Sequence, residues 1–235
     1  MYDAIIEKIT FRSEAGEVKA QLARPRAAGS FPAIARIPGR NSVSPEFDAV
    51  GERWAEEGFV DLGIDWMLVA GENPGDEAHL KIIKGAHAYL NSRDFVTPGQ
   101  ITLSGYCMGG GLTYLGLGSN PGYNAGVVWH GGLGAGRPEA ALRIDVPVLI
   151  VHGASDPGVA VSSVFELVQK LNELGKQFEL KVYSGTRHAF TIPGGNDYHA
   201  ENADAAFRES VLFLRRTFGL PVGTVEPLVK TPVGV

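Results

Sequence analysis

Strand-like and helix-like segments alternate from residue 33 to residue 218, and that alternation limits the fold more than any other feature of the chain. Phe31-Pro32-Ala33-Ile34-Ala35-Arg36-Ile37 reads as a short strand closed by Pro38-Gly39. Ser44 as N-cap and Pro45 at the first helical position open a helix, in which Phe47, Val50 and Trp54 share a face and Gly58 is the stop. Residues 59–63 read as a strand and 64–75 as a loop. Asp76 then caps a helix striped by Leu80, Ile83, His87 and Leu90. Strands are expected at 100–104, 124–129, 146–151 and 178–183, and helices after 108, over 161–174 and from His199 to Phe218. The unbroken apolar run Val146-Pro147-Val148-Leu149-Ile150-Val151 fits a strand buried on both faces. Such an order implies an α/β architecture, a mostly parallel central sheet with helices on both faces. Residues 1–30 add antiparallel strands around a turn at Glu14 to Glu17, and 221–235 form a tail without element signals. With no linker or repeat between them, residues 1–235 are expected to be a single domain.

Composition mostly excludes. A net charge of −5 gives no electrostatic reason to expect nucleic acid or an anionic membrane as partner. No apolar run approaches the length of a membrane span, and no signal-peptide pattern opens the chain. A single cysteine, Cys107, cannot form an intramolecular disulfide, and a free thiol survives best in a reducing compartment. The expectation is a cytoplasmic protein, of unknown oligomeric state.

The one cysteine stands in a telling place. Gly105-Tyr106-Cys107-Met108-Gly109 joins the strand 100–104 to a glycine-rich helix start. A tight strand-to-helix turn, with small residues two before and two after a nucleophile, is the elbow of the α/β-hydrolases. Taken alone, the stretch reads equally well as a buried, inert thiol. The elbow fixes where its partners must lie: an acid after a later strand, then a histidine after the next. Asp156 follows strand 146–151 and His188 follows strand 178–183. Three residues of the right type, in order, on loops at the carboxyl ends of parallel strands, favour nucleophilic catalysis.

The remaining histidines carry less. His79 reads as a helix-surface residue, His87 as a core histidine, His152 as a partner for nearby backbone and His199 as a helix start. His130 ends the strand before a glycine-rich loop and is open between pocket wall and structural residue. No histidine pair has metal-site spacing and no phosphate-binding glycine pattern opens an early βα unit, so neither metal nor cofactor is expected.

Gly-Tyr-Cys-Met-Gly-Gly-Gly, Trp-His-Gly-Gly, His-Gly-Ala-Ser-Asp and Arg-His-Ala-Phe together resemble the dienelactone hydrolase family over nearly the whole chain. The resemblance implies the α/β-hydrolase fold, a triad of Cys107, Asp156 and His188, and hydrolysis of a lactone or activated ester through a thioester, without cofactor. Cys107 at a helix N-terminus is placed where the dipole favours thiolate. The backbone N–H of Met108 would be one oxyanion donor, and alignment puts the second at Arg40, with Gly39 or Asn41 one residue to either side. Trp66, Trp129, His130, Arg187 and Phe190 are the candidate substrate contacts by loop position.

Two positions depart from the family's lactonase pattern. Gly39 stands where an acidic residue faces the cysteine, and Ile192 stands where an arginine follows the histidine by four residues. The loop 64–75 is also shorter. Hydrolysis is therefore the expectation, with dienelactone itself left open as the substrate. A broad carboxylesterase or thioesterase is the alternative within catalysis. A ligand-binding scaffold without turnover is the alternative of another class.

Overall fold

The computed structural model describes residues 1–40, 45–66 and 75–225. Ser44 as a cap, Asn41 as an oxyanion donor, most of the loop 64–75 and the tail beyond 225 lie outside the described residues. The elements run β1 (Ala4–Ser13), β2 (Gly16–Pro25), β3 (Phe31–Ile37), α1 (Pro45–Glu56), β4 (Val60–Asp65), α2 (Asp76–Asn91) and β5 (Val96–Tyr106). There follow α3 (Met108–Gly118), β6 (Ala125–Trp129), α4 (Arg137–Ala141), β7 (Val148–Gly153), α5 (Val161–Glu173), β8 (Phe178–Tyr183) and α6 (Ala200–Thr217). The strands make one sheet of eight in the order β1-β2-β4-β3-β5-β6-β7-β8. Among the described residues only β1–β2 and β2–β4 pair antiparallel; every pairing from β4 through β8 is parallel.

Side-chain alternation along the strands separates two cores. Leu103, Val128 and Ile150 face α2, α3 and α5, where Ile83, Leu112 and Leu167 are buried. Val127, Trp129, Leu149 and Val151 face the other way, onto Trp54 of α1 and Phe207, Val211 and Leu214 of α6. Helices thus cover both faces, as a parallel sheet requires when neither face can remain wet.

Some local expectations shift. β5 begins at Val96, because Phe31 pairs with Val96 across an irregularity before the regular register starts at Ala33 and Ile101. α4 occupies a stretch that carried no element signal, with Pro138 in its first turn. Gly75 rather than Asp76 caps α2, and Asp76 instead accepts two hydrogen bonds from Arg137, both at 2.7 Å. The buried stripe of α2 is His79, Ile82, Ile83, Ala86 and Leu90, one position round from the expected one. His79 is therefore a core residue, correcting its reading as a surface one; its ring meets that of Trp66 edge-on at 5.0 Å. His87 is half-buried and packs on Tyr123.

A buried ion pair ties β3 to β4. Arg36 donates from Nε to both carboxylate oxygens of Asp61 (3.0 and 2.9 Å) and from Nη2 to Oδ1 at 2.8 Å. Both side chains are fully out of solvent. Two such charges inside a core persist because the geometry is multidentate, which offsets part of their desolvation.

Candidate active site

At the carboxyl end of β5 the chain turns sharply into α3, and Cys107 takes the strain. Its φ of 55° and ψ of −115° lie in a region L-residues rarely occupy. Glycine at the flanks makes the turn possible. A Cβ on Gly105 would come within 2.1 Å of Gly109 O, and one on Gly109 within 2.3 Å of Ile37 O. The first turn of α3 therefore lies directly against the end of β3.

Three side chains from three loops form one hydrogen-bonded row. His188 Nε2 lies 3.0 Å from Cys107 Sγ, and His188 Nδ1 lies 2.7 Å from Asp156 Oδ2. Asp156 is fixed in turn, its Oδ1 accepting the N–H groups of Gly158 (2.8 Å) and Val159 (2.9 Å). His152 Nε2 bonds Val159 O at 2.9 Å, so the loop carrying Asp156 is braced from the strand below it.

The electrostatics follow from that row. Burial pushes the Cys107 thiol up, but the His188 hydrogen bond and charge, together with the Met108 N–H, more than offset it and leave the thiol below its usual value. His188 is pushed up to about 10, first by its bond to Asp156 and then by its bond to Cys107. Burial disfavours the Asp156 carboxylate, yet the His188 bond and the two backbone N–H groups hold it below the usual range. A lowered thiol beside a raised imidazole favours the thiolate–imidazolium pair at neutral pH.

The other candidates scatter. Trp129 stacks on Tyr106 (ring centroids 5.0 Å apart, planes 5° apart) and both line a cavity of about 480 Å³ between α1 and α6, which Thr191 also borders. Trp66 and Phe190 are buried core residues, 1% and 0% exposed, rather than open walls. His130 is likewise wholly buried, which removes it from the pocket surface. Arg187 is an exposed residue ion-paired with Asp197 at 3.1 Å. Arg40 is exposed, three residues beyond β3, while Gly39 before it is buried. Thr191, close to both the cavity and His130, gave no signal in the sequence, because a lone threonine in a loop resembles any other turn residue. Among the described residues no group of His, Cys, Asp and Glu could hold a metal ion. No helix among them is long and apolar enough to cross a membrane.

The dienelactone hydrolase family profile matches residues 64–218, which is most of the chain. The chain belongs to the dienelactone hydrolase family. It is thereby a carboxylic ester hydrolase on an α/β-hydrolase scaffold. A Bradyrhizobium relative named "Probable 2-oxo-3-(5-oxofuran-2-ylidene)propanoate lactonase" is 26% identical over 219 residues, covering 83% of this chain and 88% of its own. The Klebsiella pneumoniae crystal structure titled "Putative Dienelactone Hydrolase" superposes with a TM-score of 0.84 at 22% identity, covering 91% of this chain and 99% of that one. A dienelactone hydrolase-like promiscuous phosphotriesterase from metagenomic libraries gives a TM-score of 0.81 at 18% identity, over 92% of this chain and 99% of its own. At these identities the two structures speak to the fold.

Proposed function

We propose that this hydrolase opens small lactones or esters through a thioester on Cys107, with His188 moving the proton and Asp156 holding His188. The observation that carries the reading is the continuous row from Asp156 Oδ2 through the His188 ring to Cys107 Sγ, with spacings of 2.7 and 3.0 Å. The thiolate attacks the carbonyl carbon, forming a C–S bond as the carbonyl π pair moves onto oxygen. Collapse of that oxyanion breaks the C–O bond, and the leaving alkoxide takes the proton from His188 Nε2. Water then gives a proton to the same nitrogen and attacks the thioester carbonyl, and C–S cleavage returns the thiolate. In a lactone the alcohol stays tethered to the acyl group, so it competes with water until it swings away.

Oxyanion stabilisation is assigned to the Met108 N–H, which helps to lower the Cys107 thiol, and to an N–H of the loop after β3 at Arg40. The close packing of Gly109 on Ile37 and Pro38 supports that pairing, since it brings the two loops together.

Substrate breadth is read from what surrounds the row. The arginine expected to anchor an anionic substrate is replaced by Ile192, Arg187 is engaged by Asp197 at the surface, and Gly39 brings no carboxylate. We therefore favour uncharged small lactones and esters over dienelactone carboxylates. A non-catalytic binder fits less well, because His188 lowers the thiol without any help at position 39. The test is a panel of neutral lactones, carboxylated lactones, aryl esters and acyl thioesters against the wild type and Cys107→Ala. Loss of all turnover in the variant and a preference for neutral substrates are expected. Full activity in Cys107→Ala would overturn the mechanism, and a strong preference for carboxylated lactones would overturn the substrate reading.

A further inference from the structure

The segment Trp129 to Gly132 grips the elbow more tightly than ordinary strand pairing requires. Cys107 O accepts the N–H of Gly111 at 3.1 Å, as in any helix start, and also that of Gly132 at 3.2 Å. Cys107 N–H is shared between Trp129 O at 3.0 Å and the ring Nδ1 of His130 at 3.2 Å. Both backbone groups of the strained residue are thus doubly engaged, the N–H entirely and the carbonyl in part from one neighbouring turn. A Cβ on Gly110 would come within 2.6 Å of Gly131 Cα, so the two turns also interlock sterically.

His130 itself is held in an uncommon conformation. Its φ is 39°, its N–H donates to Val151 O at 2.7 Å, and its side chain is out of solvent. The backbone N–H of Cys107 needs a lone pair, so Nδ1 of His130 carries no proton and the neutral ring bears its hydrogen on Nε2. Nε2 lies 2.8 Å from Thr191 Oγ1 and donates that hydrogen to it. Thr191 lies three residues beyond His188, on the same loop. The rings of His130 and His188 meet edge-on, 5.1 Å between centroids, with Tyr106 and Phe190 closing the remaining sides.

We propose that His130 and Thr191 are positioning residues: the Thr191 hydroxyl accepts the Nε2–H and holds the ring in place, and His130 Nδ1 pins the Cys107 N–H so that the turn presents the thiol to His188. With both ring nitrogens engaged, His130 has no free lone pair for a second proton and stays uncharged beside the His188 imidazolium. One threonine on the His188 loop thereby couples that loop to the elbow through a single ring. The inference rests on the proposed role of Cys107, but its structural half can be tested without turnover.

Two measurements decide it. Nitrogen-15 NMR of ring-labelled wild-type protein is expected to show one buried histidine, lost in His130→Asn, as the neutral Nε2–H tautomer throughout the range where ordinary histidines titrate. In kinetics, His130→Leu is expected to lower kcat by about 10-fold or more with KM within about twofold, since one aimed hydrogen bond is lost and the substrate is not touched. His130→Asn, whose Oδ1 can stand where Nδ1 stood, should recover most of that loss. Thr191→Val should fall partway and Thr191→Ser should not. An Nδ1–H or titrating His130, or wild-type kcat in His130→Leu while Cys107→Ala is inactive, would overturn the inference alone. Activity surviving in Cys107→Ala would instead overturn the mechanism it rests on, with the NMR result unaffected.

Discussion

Replacing Asp156 with asparagine probes the whole row, because the two oxygens of its carboxylate have different tasks. Oδ1 accepts two backbone N–H groups, from Gly158 and Val159, while Oδ2 faces His188 Nδ1 at 2.7 Å. Asparagine has one acceptor oxygen. The two fixed backbone donors claim it, so the amide NH₂ turns towards His188. An NH₂ there needs a lone pair on Nδ1, which favours the neutral tautomer with its proton on Nε2 and makes the cation much harder to form. The Asp156 hydrogen bond that does most to lift His188 to about 10, and with it much of the pull that lowers the thiol, is lost. Wild-type activity should rise as pH passes the lowered thiol value and hold until His188 deprotonates near 10. The variant should lose the upper part of that plateau, its falling limb moving down towards the ordinary histidine range, and kcat should drop on the order of 10²–10⁴-fold at neutral pH. Stopped-flow alkylation of the thiol across pH, beside steady-state kcat, measures both. A variant within threefold of wild type, or an unmoved thiol titration, would refute the reasoning.

Three other outcomes follow from the packing. Asp61→Ala leaves the Arg36 charge buried without its carboxylate and should cost about 3–5 kcal/mol in denaturant unfolding; a loss under 1 kcal/mol would contradict it. Gly109→Ala drives a Cβ to 2.3 Å from Ile37 O, backbone that cannot rotate aside, so the elbow must move from β3. Its kcat should fall at least about tenfold even where circular dichroism reports an intact fold, through misplacement of the oxyanion donors. Arg187→Ala, at a surface pair with Asp197, should change stability by less than about 0.5 kcal/mol and KM for neutral esters by less than twofold. A tenfold rise in KM would return Arg187 to the substrate site.

What could be read from the sequence was what strand ends determine. Cys107, Asp156 and His188 each follow a parallel strand, and parallel strands deliver their loops to one edge of the sheet, so order and spacing were enough to place them near one another. Facing was much harder to read. His130 follows β6 more directly than His188 follows β8, yet its ring turns under the elbow, because the Cys107 N–H and Thr191 offer it partners there. His79 and Leu80 fit a helical stripe equally well by period; hydropathy prefers Leu80, whereas the structure buries His79 against Trp66. Arg36 and Asp61 lie 25 residues apart on adjacent strands, and no local pattern announces a bidentate pair that forms only when β3 and β4 align.

The central claim is a covalent acyl–sulfur bond on Cys107. Rapid quenching of the enzyme during turnover of a neutral aryl ester, followed by peptide mass spectrometry, tests it directly. The account predicts an acyl group on the peptide containing Cys107, released by hydroxylamine and retained longer in His188→Ala if acylation still proceeds there. Steady turnover with Cys107 never acylated, or an acyl group found on another residue, would contradict it.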